Sequence, residues 1–233
     1  MNVGVFTTIK VKNGLPLFWD KHEKRLVSNA QKLLLEKFTI TSHDLEDYLK
    51  KNNLTDCALK IIIIKHRGKT TISFEHRMLP KSTKLYKLIT FPDTRDYLKI
   101  YKTTIRNINE QAEKIAKEKG AHGALFTLDE KIVESTMCNI FSINKQGKFI
   151  TPPIHAKGLN GITRQIIMKL TTAEELDINK NTNGPLVLVN ALRVQKISHL
   201  NGKKLVDGEK LAHTLQELLS VQEEIYINEK LPQ

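Results

Sequence analysis

Between Ile132 and Arg164 the chain carries the pattern that leaves it the fewest ways to fold. It reads Ile132-Val-Glu-Ser-Thr-Met-Cys-Asn-Ile-Phe141, a Lys145-Gln-Gly-Lys148 turn, Phe149-Ile-Thr-Pro-Pro153, then Gly158-Leu-Asn-Gly-Ile-Thr-Arg164. The apolar residues predict two short strands around a polar cluster from Glu134 to Asn139, and the glycine-rich loop predicts a helix opening at Ile162. A helix start has N–H groups without intrahelical partners, and with a Thr hydroxyl beside them it is a seat for phosphate. Glu134 sets the harder constraint, because a carboxylate among apolar strand residues must meet a cation or a proton. A functional site is therefore expected here, with Glu134 facing positive charge and Ile162 and Thr163 facing an anion.

The chain has 233 residues, enough for one large domain or two small ones. Hydrophobic content of 40% and charged content of 27% are ordinary for a folded globular chain and argue against wholesale disorder. Met1-Asn-Val-Gly has no basic run leading into an apolar stretch, and the longest aliphatic run, Ile61 to Ile64, is too short to span a bilayer. The expected location is the cytoplasm, without membrane attachment. Cys57 and Cys138 have no metal-ligand spacing and are too few for a disulfide framework, so both are expected to be reduced and no metal is expected. The net charge of +12 invites a nucleic-acid reading, but the Lys and Arg are spread along the chain, which fits a solvated surface that also draws in a small anionic substrate.

Taken in order, Val3 to Val11 alternates as a strand, and Asn13-Gly14 turns it into Leu15 to Phe18. The strand period places Phe6 and Thr8 on one face and Thr7 on the other. Asp20 to Leu35 reads as a helix with Leu26, Ala30, Leu33 and Leu34 inward and Asp20 as its N-cap; Ser42 to Asn52 reads as a second, capped by Ser42. Cys57 to Lys65 and Thr70 to Phe74 form a hairpin around Arg67-Gly68-Lys69, followed by a strand near Leu85 to Phe91. These elements predict a small α+β domain over residues 1–92. The polar Pro92-Asp-Thr-Arg-Asp96 stretch opens a linker over 93–99. The larger domain, 100–233, is expected to hold a helix from Asn107 to Lys119, two strands joined at Asn190-Ala-Leu192 and a closing helix from Glu209 to Val221.

Several of these motifs together resemble the fold-type IV pyridoxal-phosphate enzymes, the class that includes branched-chain and D-amino-acid aminotransferases and aminodeoxychorismate lyase. They are Gly4-Val-Phe-Thr-Thr8, His22-x-x-Arg25-Leu26, Lys102-Thr-Thr-Ile-Arg106, Glu134-Ser-Thr-Met-Cys-Asn139-Ile-Phe141, Gly161-Ile-Thr163-Arg164 and Val189-Asn190-Ala191-Leu192. The resemblance implies an α+β fold with a small N-terminal half and a larger, β-rich pseudo-barrel half, assembled as a homodimer. It implies pyridoxal 5′-phosphate as cofactor, Lys102 as the lysine that carries it, and Glu134 at its ring nitrogen. Arg25, Ile162 and Thr163 are the implied phosphate ligands, Asn190 and Ala191 further cofactor contacts, and Thr8 a catalytic partner of Lys102. One departure is Ile105, where Asn is common; the neighbouring Lys99 lacks the following Thr-Thr. Phe6-Thr7-Thr8 and Asn190-Ala191-Leu192 are most similar to the lyases, so the expected activity is elimination from 4-amino-4-deoxychorismate to 4-aminobenzoate and pyruvate. An aminotransferase of D- or branched-chain amino acids is the alternative, and a non-catalytic cofactor-binding protein a weaker one.

Overall fold

Apolar residues at every second position of Gly4–Lys12 (β1) give that strand a core-facing side, and Val5, Ile9 and Val11 are fully buried on it. The computed structural model describes residues 3–35, 37, 39–81, 83, 85–156 and 158–230. By internal packing the chain divides into two units. The first comprises Met1–Pro80, Tyr101–Ile105 and Val221–Gln233, the second Lys81–Ile100 and Arg106–Ser220.

In the first unit β1 is followed by Leu15–Pro16 (β2), Trp19–Leu34 (α1), Ser42–Lys51 (α2), Cys57–His66 (β3) and Lys69–Arg77 (β4). The sheet order is β2-β1-β3-β4, antiparallel throughout, with Phe6 opposite Ile62, Thr7 opposite Ile61 and Thr8 opposite Lys60. The two-residue turns at Asn13-Gly14 and Arg67-Gly68 have positive φ at both positions, the mirror-image turn whose twist suits a hairpin. Leu26, Ala30 and Leu34 of α1 and Leu45 and Leu49 of α2 pack on Leu59, Ile61 and Ile63 of β3. Each such aliphatic side chain contributes roughly 1.5–3 kcal/mol by leaving water.

Three sequence expectations shift here. Asp20 is not the N-cap of α1: the cap is Phe18, in the left-handed region with φ 55°, and Asp20 lies in the first turn. The Trp19 N–H is satisfied instead by the Tyr226 hydroxyl at 3.0 Å. α2 is capped by Thr41, one residue before the expected Ser42, because Thr41 and Asp44 close a reciprocal capping box. The closing helix, Glu209–Lys230, runs nine residues past the expected end at Val221, and its last turns belong to this unit, where Glu223 pairs with Lys10 at 2.7 Å.

The second unit holds Lys87–Pro92 (β5), Asn107–Glu118 (α3), Gly123–Leu128 (β6), Lys131–Ser135 (β7), Asn139–Ile143 (β8), Phe149–Thr151 (β9), Ile162–Thr171 (α4) and Glu174–Glu175 (β10). Val187–Asn190 (β11), Arg193–Lys196 (β12), His199–Leu200 (β13), Lys203–Lys204 (β14) and the start of Glu209–Lys230 (α5) complete it. Two mixed five-stranded sheets result, ordered β14-β13-β5-β6-β7 and β10-β9-β8-β11-β12. Leu125 and Ile132 of the first share a core with Ile140, Leu186 and Leu188 beside the second, while Ala112 and Ala116 of α3 pack on Ala124, Phe126 and Val133. Among the described residues no helix is long and apolar enough to cross a membrane.

Candidate functional site

The functional side chains of the first unit gather around β1. Residues 102–104 lie alongside it as a short irregular partner: Phe6 N–H donates to the Lys102 carbonyl at 2.9 Å, and Thr104 N–H to the Gly4 carbonyl at 2.9 Å. This pins Lys102 beside the strand, with its ammonium 5.1 Å from the centre of the Phe6 ring. Thr8 is on the Phe6 side of β1, as the strand period requires, and is half-buried. Its hydroxyl makes no hydrogen bond among the described residues.

Thr7, on the opposite side, is fully buried, and its hydroxyl meets His22 Nδ1 at 2.6 Å and accepts from Arg25 Nη2 at 2.9 Å. Since the arginine can only donate, the Thr7 hydroxyl accepts from it and joins it to the His22 ring. Burial, then the charges of Arg25 and Lys102, hold His22 well below the ordinary imidazole range and keep it neutral. Burial also pushes Arg25 down to about 10, so it remains a cation at neutral pH. Its Nε is buried without a hydrogen-bond partner, and no carboxylate among the described residues pairs with it. A buried guanidinium with an orphaned donor fits an incoming anion, phosphate above all.

In the second unit, Glu134 of β7 is 5% exposed. Its Oε1 accepts from Arg95 Nη1 at 2.8 Å, and its Oε2 accepts the Leu159 N–H at 3.1 Å. Asn139 Nδ2 donates to the carbonyl of the same Leu159 at 2.8 Å. Glu134 and Asn139 thus grip one loop residue by its N–H and its C=O, which explains why the motif needs both at this spacing. The loop can come this close only with glycine at 161, where an added Cβ would fall 2.1 Å from Asn139 Oδ1. α4 then begins at Ile162 with no side-chain cap, so the N–H groups of Ile162 and Thr163 in its first turn are donors with no intrahelical partner. Both residues are buried.

Asn190 does something more local. Its Oδ1 accepts from Leu192 N–H at 2.9 Å and Arg193 N–H at 3.2 Å, closing the β11–β12 turn around Ala191, and its Nδ2 lies 3.1 Å from Cys138 Sγ. Cys57 and Cys138 are both buried and no disulfide joins them.

Sequence reasoning missed three participants. Thr7 looked like a β-former, yet it joins His22 to Arg25. His22 sits four residues before Leu26 on the buried stripe of α1, a position that singles out a buried histidine from sequence alone. The stretch expected as a linker carries the third: Asp93, with a fully buried carboxylate, binds Arg95 through Nε at 2.8 Å and Nη2 at 3.0 Å and Lys99 at 2.9 Å. No sequence signal distinguishes such a loop from a solvated one.

Known proteins place these residues in context. A "Putative branched-chain-amino-acid aminotransferase" of Methanocaldococcus jannaschii is 26% identical over 198 residues, 75% of this chain and 67% of its own length. Among solved structures, a "Putative 4-amino-4-deoxychorismate lyase" of Legionella pneumophila superposes with a TM-score of 0.83 at 23% identity, covering 94% of this chain and 91% of that one. A "hypothetical aminotransferase" of Mycobacterium tuberculosis, in its PLP-bound form, gives 0.81 at 16% identity over 94% and 88%. These likenesses establish the α+β fold of the fold-type IV enzymes. The sequence profile of amino-transferase class IV matches residues 4–200. Enzymes of that class use pyridoxal 5′-phosphate, and the residues of each unit, taken by itself, fit it: in the first the orphaned Arg25 Nε suits a phosphate, and in the second the uncapped start of α4 suits a phosphate and the buried Glu134 carboxylate a cationic ring nitrogen. With the match spanning most of its length, the protein belongs to the class IV aminotransferase family.

Proposed function

We propose that the protein is a pyridoxal-phosphate-dependent lyase that converts 4-amino-4-deoxychorismate to 4-aminobenzoate and pyruvate. The observation that carries this reading is the Phe6-Thr7-Thr8 sequence on β1, which places a hydroxyl without an internal partner on the Phe6 side of the strand that pins Lys102. The lyase-like Asn190-Ala191-Leu192 turn and the likeness to the Legionella protein support it. Arg25, Ile162 and Thr163 hold the cofactor phosphate, Glu134 its ring nitrogen, and Lys102 carries it between turnovers; Asn190 and Ala191 contribute through the shape of their turn. The bound cofactor withdraws electrons from the carbon bearing the substrate amine, which makes the proton there removable.

Lys102 would take that proton. The adjacent C–O bond then breaks, the ring becomes aromatic, and the departing enolpyruvate gains a proton and ends as pyruvate. Negative charge develops on the leaving oxygen, so a hydroxyl that holds a water or orients Lys102 there lowers the barrier, and Thr8 has that role. The support for Lys102 is its place beside Phe6 of β1, where the Phe6 N–H holds its carbonyl; the Lys99 ammonium pairs with the buried Asp93 carboxylate.

The relative from Methanocaldococcus supports a second reading, an aminotransferase of branched-chain amino acids on the same scaffold. Transamination requires a pocket that accepts two acids in turn; elimination requires one substrate. Incubating the loaded protein with aminodeoxychorismate alone decides between them: aminobenzoate fluorescence with equimolar pyruvate supports the lyase, and turnover only with an amino donor and 2-oxoglutarate overturns it. The working assembly is a cytoplasmic homodimer, and a 26.6 kDa particle with full activity in light scattering removes that part of the proposal.

A further inference from the structure

We infer that Arg95 is a positioning residue that keeps Glu134 ionised and aimed before any cofactor arrives; this rests on the reading of Glu134 as the partner of the ring nitrogen. A carboxylate buried alone takes up a proton, and a protonated Glu134 would offer the ring nitrogen no negative charge. Here Arg95 Nη1 stands 2.8 Å from Glu134 Oε1, and the guanidinium has little freedom. Its Nε and Nη2 form a fork on Asp93 at 2.8 and 3.0 Å, and its central carbon lies 3.8 Å from the centre of the Phe126 ring.

Two carboxylates, Asp93 and Glu134, face two cations, Arg95 and Lys99, and each of the four side chains is at most 10% exposed. Burial alone would weaken the charge on Arg95, but the Asp93 hydrogen bonds and the Glu134 charge outweigh it and strengthen its hold on the proton. Burial likewise works against the Asp93 anion, and its bonds to Arg95 and Lys99 outweigh it. Because Asp93 takes the two-pronged edge of the guanidinium, Glu134 receives a single prong. Its Oε2 accepts the Leu159 N–H, so the carboxylate is aimed from both oxygens.

The test uses infrared spectra of the cofactor-free protein at pH 6, with the Glu134 band identified by its loss in Glu134→Gln. The parent is expected to show an ionised carboxylate. Arg95→Met should replace it with a protonated carboxyl band, and Arg95→Lys should restore the ionised one. A protonated Glu134 in the parent, or an ionised one in Arg95→Met, overturns the inference; should Arg95→Met not fold, Arg95→Gln, which keeps a neutral donor, takes its place. In parallel, cofactor-free protein is titrated with pyridoxal phosphate and with its analogue having CH in place of the ring nitrogen. The parent should prefer the former, and Arg95→Met should lose about tenfold of that preference. If the parent does not distinguish the two, the reading of Glu134 fails, while the infrared result still decides the role of Arg95.

Discussion

Two half-buried arginines, Arg25 in one unit and Arg95 in the other, are in opposite states. Arg25 has one hydroxyl partner and an orphaned Nε, and burial pushes it down to about 10. Arg95 has two carboxylates, and its hold on the proton is strengthened in spite of burial. For Arg25 the uncompensated burial weakens folding by an amount on the order of 3 kcal/mol. The contrast separates a cation whose anion comes from outside from one whose anion is in the chain. On the proposed function the first meets the phosphate of the cofactor, while the second already holds two carboxylates of the chain.

Lys102→Ala carries the largest expected loss, on the order of 10³-fold or more in turnover, because it removes the group that carries the cofactor and moves the proton. Borohydride treatment of the loaded parent followed by peptide mapping should find the cofactor on Lys102, and a label on Lys99 would falsify the assignment. The two arginines should then part company in cofactor-free stability. Arg95→Met leaves Asp93 and Glu134 without their shared cation and should cost about 3–5 kcal/mol in urea unfolding. Arg25→Met should be neutral or stabilising while weakening pyridoxal phosphate binding roughly 10- to 100-fold; if both variants destabilise alike, the contrast between them is wrong.

Thr8→Val keeps shape and strand propensity while deleting the hydroxyl, and should slow aminobenzoate formation ~10²-fold with cofactor binding intact. A parent-like rate would reduce Thr8 to a structural residue. His22 sharpens the picture of the first unit through pH. The folded chain holds it neutral, whereas the unfolded chain gains a proton below the ordinary value of 6.5. Stability from this residue is therefore complete above pH 6.5 and falls as the pH drops below it, by about 1.4 kcal/mol per pH unit. His22→Gln should flatten urea-unfolding stability between pH 6.5 and 5. Asp93, held below its ordinary value as His22 is, contributes in a separate window, losing its share only below its ordinary 3.8. Smallest is Tyr226→Phe, which strands the Trp19 N–H and should cost about 1 kcal/mol, read as a lower midpoint in thermal melts.

What could be read without coordinates was whatever depends on near neighbours in sequence. The alternation of β1, the Asn13-Gly14 and Arg67-Gly68 turns and the inward stripe of α1 are local and emerged where expected. The Glu134 to Thr163 region was legible because strand, loop and helix start follow one another directly. Features set by remote partners were not. Asp20 is a good capping residue, but the Tyr226 hydroxyl takes that function and the helix starts a residue earlier. The Asp93 to Lys99 stretch has the composition of a solvated linker, and only burial against Phe126 and Glu134 turns those same charges into a closed set.

The hydrogen bond from Trp19 to Tyr226 also has a consequence in time. Its partners are 207 residues apart, and Lys10 and Glu223, which pair beside them, are 213 apart. A ribosome adding ~5–20 residues each second needs roughly 10–40 s to travel that distance. Through that interval the newborn strand and the helix that bears His22 and Arg25 exist without the segment that completes them. A strand and helix made early are thus completed late, and until then the Trp19 N–H and the Lys10 ammonium are left to water.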